Sequence, residues 1–322
     1  MRPDARIYVA GHRGLVGSAL VRRLRAAGYS DLITRTHAEL DLTDPAAVHR
    51  FVEEAKPEYI FLAAARVGGI LANNTYPAQF IRDNLAIQTN VIHEAWLGGV
   101  RRLLFLGSSC IYPRECPQPM KEDYLLSSSL EPTNRPYAVA KISGIEMCWA
   151  YNRQYGTQYL SAMPTNLYGP GDNFDLATSH VIPALLRKFH EAKVRGDKQV
   201  VVWGTGTPRR EFLHSDDMAD ACLFLMDLPD ERFQPLLAAE RNDGTPPLIN
   251  IGSGTDLTIA ELAMLVKEVT QFCGEIVYDS TKPDGTLQKL EDISRLRALG
   301  WAPRIPLREG LAGLYSCMIE QH

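Results

Sequence analysis

Near its start the chain sets a short apolar run, Ile7-Tyr8-Val9-Ala10, directly against a glycine turn, Gly11-His12-Arg13-Gly14-Leu15-Val16-Gly17. An amphipathic helical pattern follows, with Ala19, Leu20, Leu24 and Ala27 at helical spacing and Gly28 as its stop. A buried strand that ends on glycine and turns at once into a helix has few homes. The turn allows close approach: Gly11 makes the bend, Gly14 lets a pyrophosphate rest on backbone N–H groups, and Gly17 lets the helix lie near the sheet. The spacing is GxxGxxG rather than GxGxxG, so the position of the turn carries more weight than the motif.

The rhythm continues. Leu32-Ile33 begins a second strand, a helix runs from after Thr43 to about residue 55, and residues 59–65 form a third strand. Residues 84–97 read as a helix and 102–106 as a strand that ends on Gly107-Ser108-Ser109-Cys110. A Pro- and Ser-rich loop spans 113–136, a helix follows from about 137 to 154, and a strand covers 159–163. Short connections between alternating strands and helices require a parallel sheet. The expected fold is therefore α/β, a Rossmann-type doubly wound parallel sheet over residues 1–165. A smaller mixed α/β domain over 166–322 would bind substrate, with elements near 212–226 and 248–253 returning to the first domain. In that second part 180–195, 216–226, 259–269, 293–299 and 307–319 read as helices, 200–203 and 248–251 as strands, and Lys282-Pro283-Asp284-Gly285 as a turn.

The end of the second strand selects the cofactor. An acid there binds a ribose 2′-hydroxyl and repels a 2′-phosphate. Here the strand runs Leu32-Ile33-Thr34-Arg35-Thr36, without an acid. Arg35 and Arg13 form a clamp for a 2′-phosphate, which points to NADP. Asp41-Leu42 falls where a loop would meet the adenine.

Tyr137 and Lys141 are four apart on one helix face, and Ser108 stands at the carboxyl end of a strand. A lysine beside a phenol favours the phenolate, and a phenol and a hydroxyl can both hold one carbonyl oxygen as it gains charge. A helix can also hold Tyr and Lys at this spacing for packing alone; their company with the glycine turn and Ser108 favours chemistry.

Composition narrows the partners. A formal net charge of -4 gives no reason to expect nucleic acid, although Arg209-Arg210 make a local positive patch suited to a small anion. No apolar stretch is long enough to span a membrane, and the early strand leaves no room for a signal peptide. The six cysteines form no CxxC pair, so reduced thiols in a cytoplasmic setting are expected, and no His/Cys cluster suggests a metal.

The glycine turn, Ser108 and Tyr137-xxx-Lys141 resemble the extended short-chain dehydrogenase/reductase family. More specific segments resemble its members that act on GDP-sugars: Ala63-Ala64-Ala65-Arg66-Val67-Gly68-Gly69-Ile70, Gly107-Ser108-Ser109-Cys110-Ile111-Tyr112-Pro113, Pro164-Thr165-Asn166-Leu167-Tyr168-Gly169-Pro170 and Arg210-Glu211-Phe212-Leu213-His214. The resemblance covers nearly the whole chain. It implies a Ser108, Tyr137 and Lys141 triad, Cys110 as the base and His180 as the acid of an epimerisation, and reduction of a 4-keto sugar by NADPH. It implies that His12, Leu15, Val16, Leu106, Gly107, Pro164, Asn166, Leu167, His180 and Lys141 line the cofactor site beside the glycines. Ser109, Lys188, Trp203, Arg210 and Asp284 would meet the GDP-sugar. It also implies a homodimer through a four-helix bundle of residues 84–97 and 137–154. Taken without the resemblance, Cys110 and His180 would be read as packing residues. Two rivals remain. An NAD-dependent sugar-nucleotide 4-epimerase or 4,6-dehydratase of the same fold would recycle a tightly held NAD, and the dehydratase would carry Asp-Glu where Ser109-Cys110 stands; a non-catalytic NADP-binding scaffold would have no reason to keep the triad.

Overall fold

The computed structural model describes residues 1–176, 178–237, 246–282 and 284–320. Most of the segment expected to be a weakly patterned linker (residues 238–245), and Pro283 of the Lys-Pro-Asp-Gly turn, lie outside the described residues.

The chain opens with β1 (Ile7–Ala10), α1 (Leu15–Ala26), β2 (Leu32–Ile33), α2 (Pro45–Ala55) and β3 (Tyr59–Leu62). All four β1 residues are buried, as a strand covered on both faces must be. α2 starts at Pro45, behind the Asp44 carboxylate, which accepts the backbone N–H groups of Ala46 and Ala47. Next come α3 (Ile70–Thr75), α4 (Pro77–Leu97), β4 (Arg102–Leu106), α5 (Arg135–Tyr155), β5 (Tyr159–Pro164) and β6 (Asn166–Tyr168). α4 begins seven residues earlier than the sequence reading placed it. Pro77 sits at its first turn, where a missing N–H costs nothing.

The remaining elements are α6 (Val181–Arg195), β7 (Gln199–Trp203), β8 (Arg209–His214), α7 (Ser215–Asp227), α8 (Asp230–Phe233), β9 (Leu248–Ile251), β10 (Asp256–Thr258), α9 (Ile259–Thr270), β11 (Glu275–Asp279), β12 (Gln288–Lys289), α10 (Ser294–Ala298) and α11 (Leu307–Glu320).

Six parallel strands form the main sheet in the order β2-β1-β3-β4-β5-β9. The chain leaves β1 toward β2 on one side and returns to β3 on the other, so the crevice for a ligand opens at the carboxyl ends of β1 and β3. One apolar layer packs Leu20 and Leu24 of α1 with Met218 and Cys222 of α7; the other packs Val52 of α2 with Val91 of α4 and Ile145 of α5. Each fully buried Val, Leu or Ile in these layers contributes about 1.5–3 kcal/mol. A third core joins α6, α9 and α11. Over it lie β10-β8-β12, with β6 beside β8, and the parallel pair β11-β7. β9, near the end of the chain, thus completes the first sheet, and α7 covers the same layer as α1.

Candidate active site

The glycine turn sits at the crevice. Gly11 has φ +83°, and a Cβ there would lie 2.7 Å from the Ala64 nitrogen on β3's exit; a Cβ on Gly17 would lie 2.1 Å from the Gly11 carbonyl oxygen. Both glycines are required for the approach they allow. Gly14 is the N-cap of α1 and offers no side-chain cap, so the N–H groups of the first turn point into open space. His12 Nδ1 is buried in the same turn without a hydrogen-bond partner among the described residues. Free donors, a helix N-terminus and an orphaned ring nitrogen suit a dinucleotide diphosphate.

At the end of β2, Arg13 and Arg35 are both exposed and both act on Glu39. Glu39 is held below the usual carboxylate range by hydrogen bonds from the Thr36 backbone and hydroxyl first, and by the two arginine charges after that. Arg35 donates to its neighbour's carbonyl, Thr34 O, at 2.8 Å and lies 5.6 Å from the Phe51 ring centroid. The two cations therefore converge on one patch, as a 2′-phosphate requires. Asp41 spends its carboxylate on the N–H and hydroxyl of Thr43, and Leu42 is buried in the core. The Asp41 side chain stays half exposed beside His37.

The catalytic edge forms where β4 ends. Ser108 extends from the strand, and the chain then tightens into a 3-10 turn at Ser109–Ile111. Ser108 Oγ accepts the Cys110 N–H at 3.4 Å, and its hydroxyl acts on both the Tyr137 phenol and the Cys110 thiol. α5 reaches this edge because Gly144 lets it press on the sheet: a Cβ there would lie 2.4 Å from the Phe105 ring. Lys141, one turn after Tyr137, is buried; its ammonium donates to Leu106 O at 2.7 Å and lies 5.8 Å from the Tyr137 ring centroid. Burial pulls Lys141 down to about 8. Burial also pushes the Tyr137 phenol far above its ordinary range, with a further push from Cys110 and an opposing pull from the Ser108 hydrogen bond. The expected lysine-favoured phenolate is thus outweighed by desolvation. Cys110 is buried; burial pushes its thiol up, while the Ser108 hydroxyl, Lys289 and Lys141 pull it down.

Gly107 and Pro164 sit at the ends of neighbouring parallel strands, with Gly107 N–H donating to Ala162 O at 2.9 Å. The Asn166 amide donates to Glu211 O at 2.9 Å, and Leu167 packs against the first core from β6. His180 is the N-cap of α6, exposed to the cleft but crowded, and burial pulls its imidazole below the ordinary value. A second group of residues gathers on β7, β8 and α6. Lys188 lies 4.8 Å from the ring centroid of Trp203, itself 63% exposed, and Lys282 lies 5.6 Å from it on the loop after β11. Asp284 accepts the Thr205 N–H and hydroxyl at 3.0 and 2.7 Å, which fixes the turn that carries Trp203. The Arg210 guanidinium bonds the carbonyls of Arg209 and Thr286 at 2.7 and 2.6 Å. The expected Arg209-Arg210 patch is halved: Arg209 is paired with Asp256 at 2.9 Å, and only Arg210 keeps charge for a ligand.

Sequence reading missed Lys282 and Lys289. Neither belongs to a spaced motif. Lys289 reaches the site only because β12 pairs with β8, opposite Arg210.

A strand-end hydroxyl, a buried phenol and a lysine beside a dinucleotide crevice define an oxidoreductase of the short-chain type. The chain belongs to the NAD dependent epimerase/dehydratase family, whose pattern it matches over residues 7–238. It is 59% identical to GDP-L-fucose synthase 1 of Arabidopsis thaliana over 97% of this chain and 92% of that one. It is 53% identical to GDP-L-fucose synthase of Escherichia coli strain K12, over 98% and 97%. Its fold is similar to that of a GDP-mannoheptose C4 reductase from Campylobacter jejuni with NADP bound, with a TM-score of 0.88 and 39% identity over 99% of both chains.

Proposed function

We propose that the chain converts GDP-4-keto-6-deoxy-D-mannose to GDP-L-fucose, by epimerisation at C3 and C5 followed by NADPH-dependent reduction at C4. The observation that carries this reading is the single Ser108 hydroxyl that acts on both Tyr137 and Cys110. It puts the oxygen-holding pair and a potential base for the neighbouring carbons on one edge.

The carbonyl at C4 acidifies the hydrogens on C3 and C5. Cys110, as thiolate, removes one; the C–H electrons pass into an enolate whose oxygen is held by Ser108 and Tyr137. His180 returns a proton on the opposite face. After both inversions Tyr137 gives its proton to O4. NADPH supplies the hydride to C4 when bound. Gly11, Gly14 and Gly17 would hold its diphosphate and Arg13 and Arg35 its 2′-phosphate. Lys188, Trp203 and Arg210 receive the GDP end, and Asp284 positions Trp203.

We also infer a homodimer through α4 and α5. His93, Trp96, Tyr151 and Tyr155 form an aromatic cluster across these helices, and Leu97, Val139 and Tyr155 are exposed on them. Sedimentation velocity should give twice the chain mass; a single-chain mass would remove the bundle. A cytoplasmic setting agrees with six free cysteines, and no helix among the described residues is long and apolar enough to cross a membrane.

The test is to incubate the protein with GDP-4-keto-6-deoxymannose and NADPH in heavy water. The nicotinamide absorbance should fall, and the product should carry deuterium at C3 and C5. Oxidation of NADPH without deuterium would make the protein a plain C4 reductase. Turnover without NADPH loss would make it an epimerase or dehydratase. Cys110→Ser should abolish exchange while sparing reduction of a substrate already inverted at both carbons. Equal losses in both would break the division of labour.

A further inference from the structure

Resting on that reading, we propose that Lys289 is a positioning residue of the epimerisation: its ammonium is the counter-ion that lets Cys110 work as a thiolate. Lys289 and Cys110 line one small cavity together with Ser109, Gln118, Glu131 and Gln288. The backbone holds the lysine there from both sides. Its own strand, β12, pairs with β8 in the register Lys289 to Arg210. The next residue, Leu290, donates its N–H to the Gln118 side chain at 2.8 Å and accepts the Met120 N–H at 2.7 Å. These ties fix the backbone from which the Lys289 side chain enters the cavity.

The charges that face it have other engagements. Glu131 is paired with Arg114 at 3.3 Å. Glu291 is fully enclosed, and burial, with Glu211 and Glu122 beside it, pushes it well above the usual carboxylate range. Arg210 repels the ammonium and is committed to two carbonyls. Lys289 itself has no hydrogen-bond or ion-pair partner among the described residues. Around the thiol the titratable groups are Tyr137 and Lys141 from α5 and Lys289 from β12, with the Ser108 hydroxyl beside them. Lys141 already gives a hydrogen bond to Leu106 O. Both lysines lower the thiol; Lys289 acts on it more strongly than Lys141, which is held at Leu106 O.

The physical case is a cancellation. A buried thiol resists ionisation and a buried ammonium resists protonation, each on account of desolvation. Together each offsets the other's cost. The thiol proton leaves to solvent, the thiolate takes the proton from C3 or C5, and the ammonium keeps its three hydrogens throughout. An opposite charge within about 4–6 Å moves such a group by about 1–3 pH units. Lys289 then acts on the base step and not on hydride transfer.

Two readouts test this on the full chain. The first is the pH profile of Cys110 alkylation by iodoacetamide, with the Cys110→Ser protein as background. The second is solvent deuterium exchange at C3 and C5 of GDP-4-keto-6-deoxymannose without NADPH. Lys289→Gln should move both profiles upward by about one pH unit or more. Lys289→Arg should restore them, and methylammonium should partly rescue exchange in Lys289→Ala. Reduction of a substrate already inverted at C3 and C5 should change less than twofold. Unmoved profiles in Lys289→Gln, with only a raised KM for the GDP-sugar, would overturn the proposal and make Lys289 a diphosphate contact. An unfolded Lys289→Gln protein leaves the Arg and Ala variants to decide the point. A native protein that exchanges nothing would sink the proposed function, and the alkylation profile would still decide the pair.

Discussion

At the scale of single residues, Tyr137 shows how a spacing and its surroundings can pull apart. The i,i+4 partner Lys141 is where the spacing puts it, but the phenol is set by desolvation, so the group serves as a donor to a carbonyl. Tyr137→Phe should therefore cut C4 reduction by roughly 10²–10³-fold, the usual effect of removing one such donor. NADPH binding, followed by fluorescence, should be unchanged; a small loss in rate would move the role elsewhere. The cofactor clamp gives a second prediction. Arg35→Ala should raise the KM for NADPH by at least tenfold more than that for NADH, since a lost charge-assisted pair is worth about 1.5–3 kcal/mol. An unchanged ratio in steady-state kinetics would rule the clamp out. Cys110, His180 and Lys289 were beyond reading from spacing, because a buried thiol or a helix-capping histidine looks the same in sequence whether it packs or reacts.

Among elements, the strongest agreement lies where a long pattern meets a clear stop. β1, α1, β4 and β9 fall where the residues placed them, and so does the two-residue β2, which its place in the alternation rather than its own period gave away. Disagreement collects in short strands. β6, β10 and β12 have two or three residues, too few for any period to show. β8 opens with Arg209-Arg210, whose charges hide a strand that serves the substrate side. α3 and the first turns of α4 lie outside the helices read from the sequence; Asn73 bonds the Gly68 and Gly69 carbonyls and anchors the loop. Two tests belong at this scale. Gly17→Ala should push the first turn of α1 away from β1 and lower NADPH affinity by at least tenfold in a binding titration, since its Cβ would overlap the Gly11 carbonyl. Thr258 and Glu261 form a reciprocal cap at the start of α9, and Thr258→Ala should cost about 1 kcal/mol in urea unfolding without changing the NADPH site.

Over the whole molecule, the two sheets meet through buried polar groups rather than through apolar packing alone. Glu211 on β8 accepts the N–H groups of Gly254 and Glu291 at 2.6 and 2.9 Å. Glu122 accepts the N–H of Asn250 on β9 at 3.1 Å, and Asn250 bonds Tyr112 and the Met120 carbonyl. Glu291 lies among them with both carboxyl oxygens unpartnered among the described residues. Its proton is bound more tightly in the folded chain than in the unfolded one, where it leaves near pH ~4.3. Between those values the folded state binds more protons, so its stability falls as pH rises. Glu291→Met should remove that slope: thermal unfolding should gain more at pH ~8 than at pH ~5, and an equal gain at both would mean the carboxyl is not protonated in the fold. The sequence by itself determined the parallel sheet and the glycine turn at its crevice, and it put Arg13, Arg35, Ser108, Tyr137 and Lys141 forward as candidates, because each rests on a local period or a fixed spacing. Only the tertiary structure decided that burial pushes the phenol up, that Asp256 claims Arg209, and that a lysine 179 residues beyond Cys110 shares its cavity. Desolvation and pairing depend on which distant strands become neighbours, and no window of sequence carries that information.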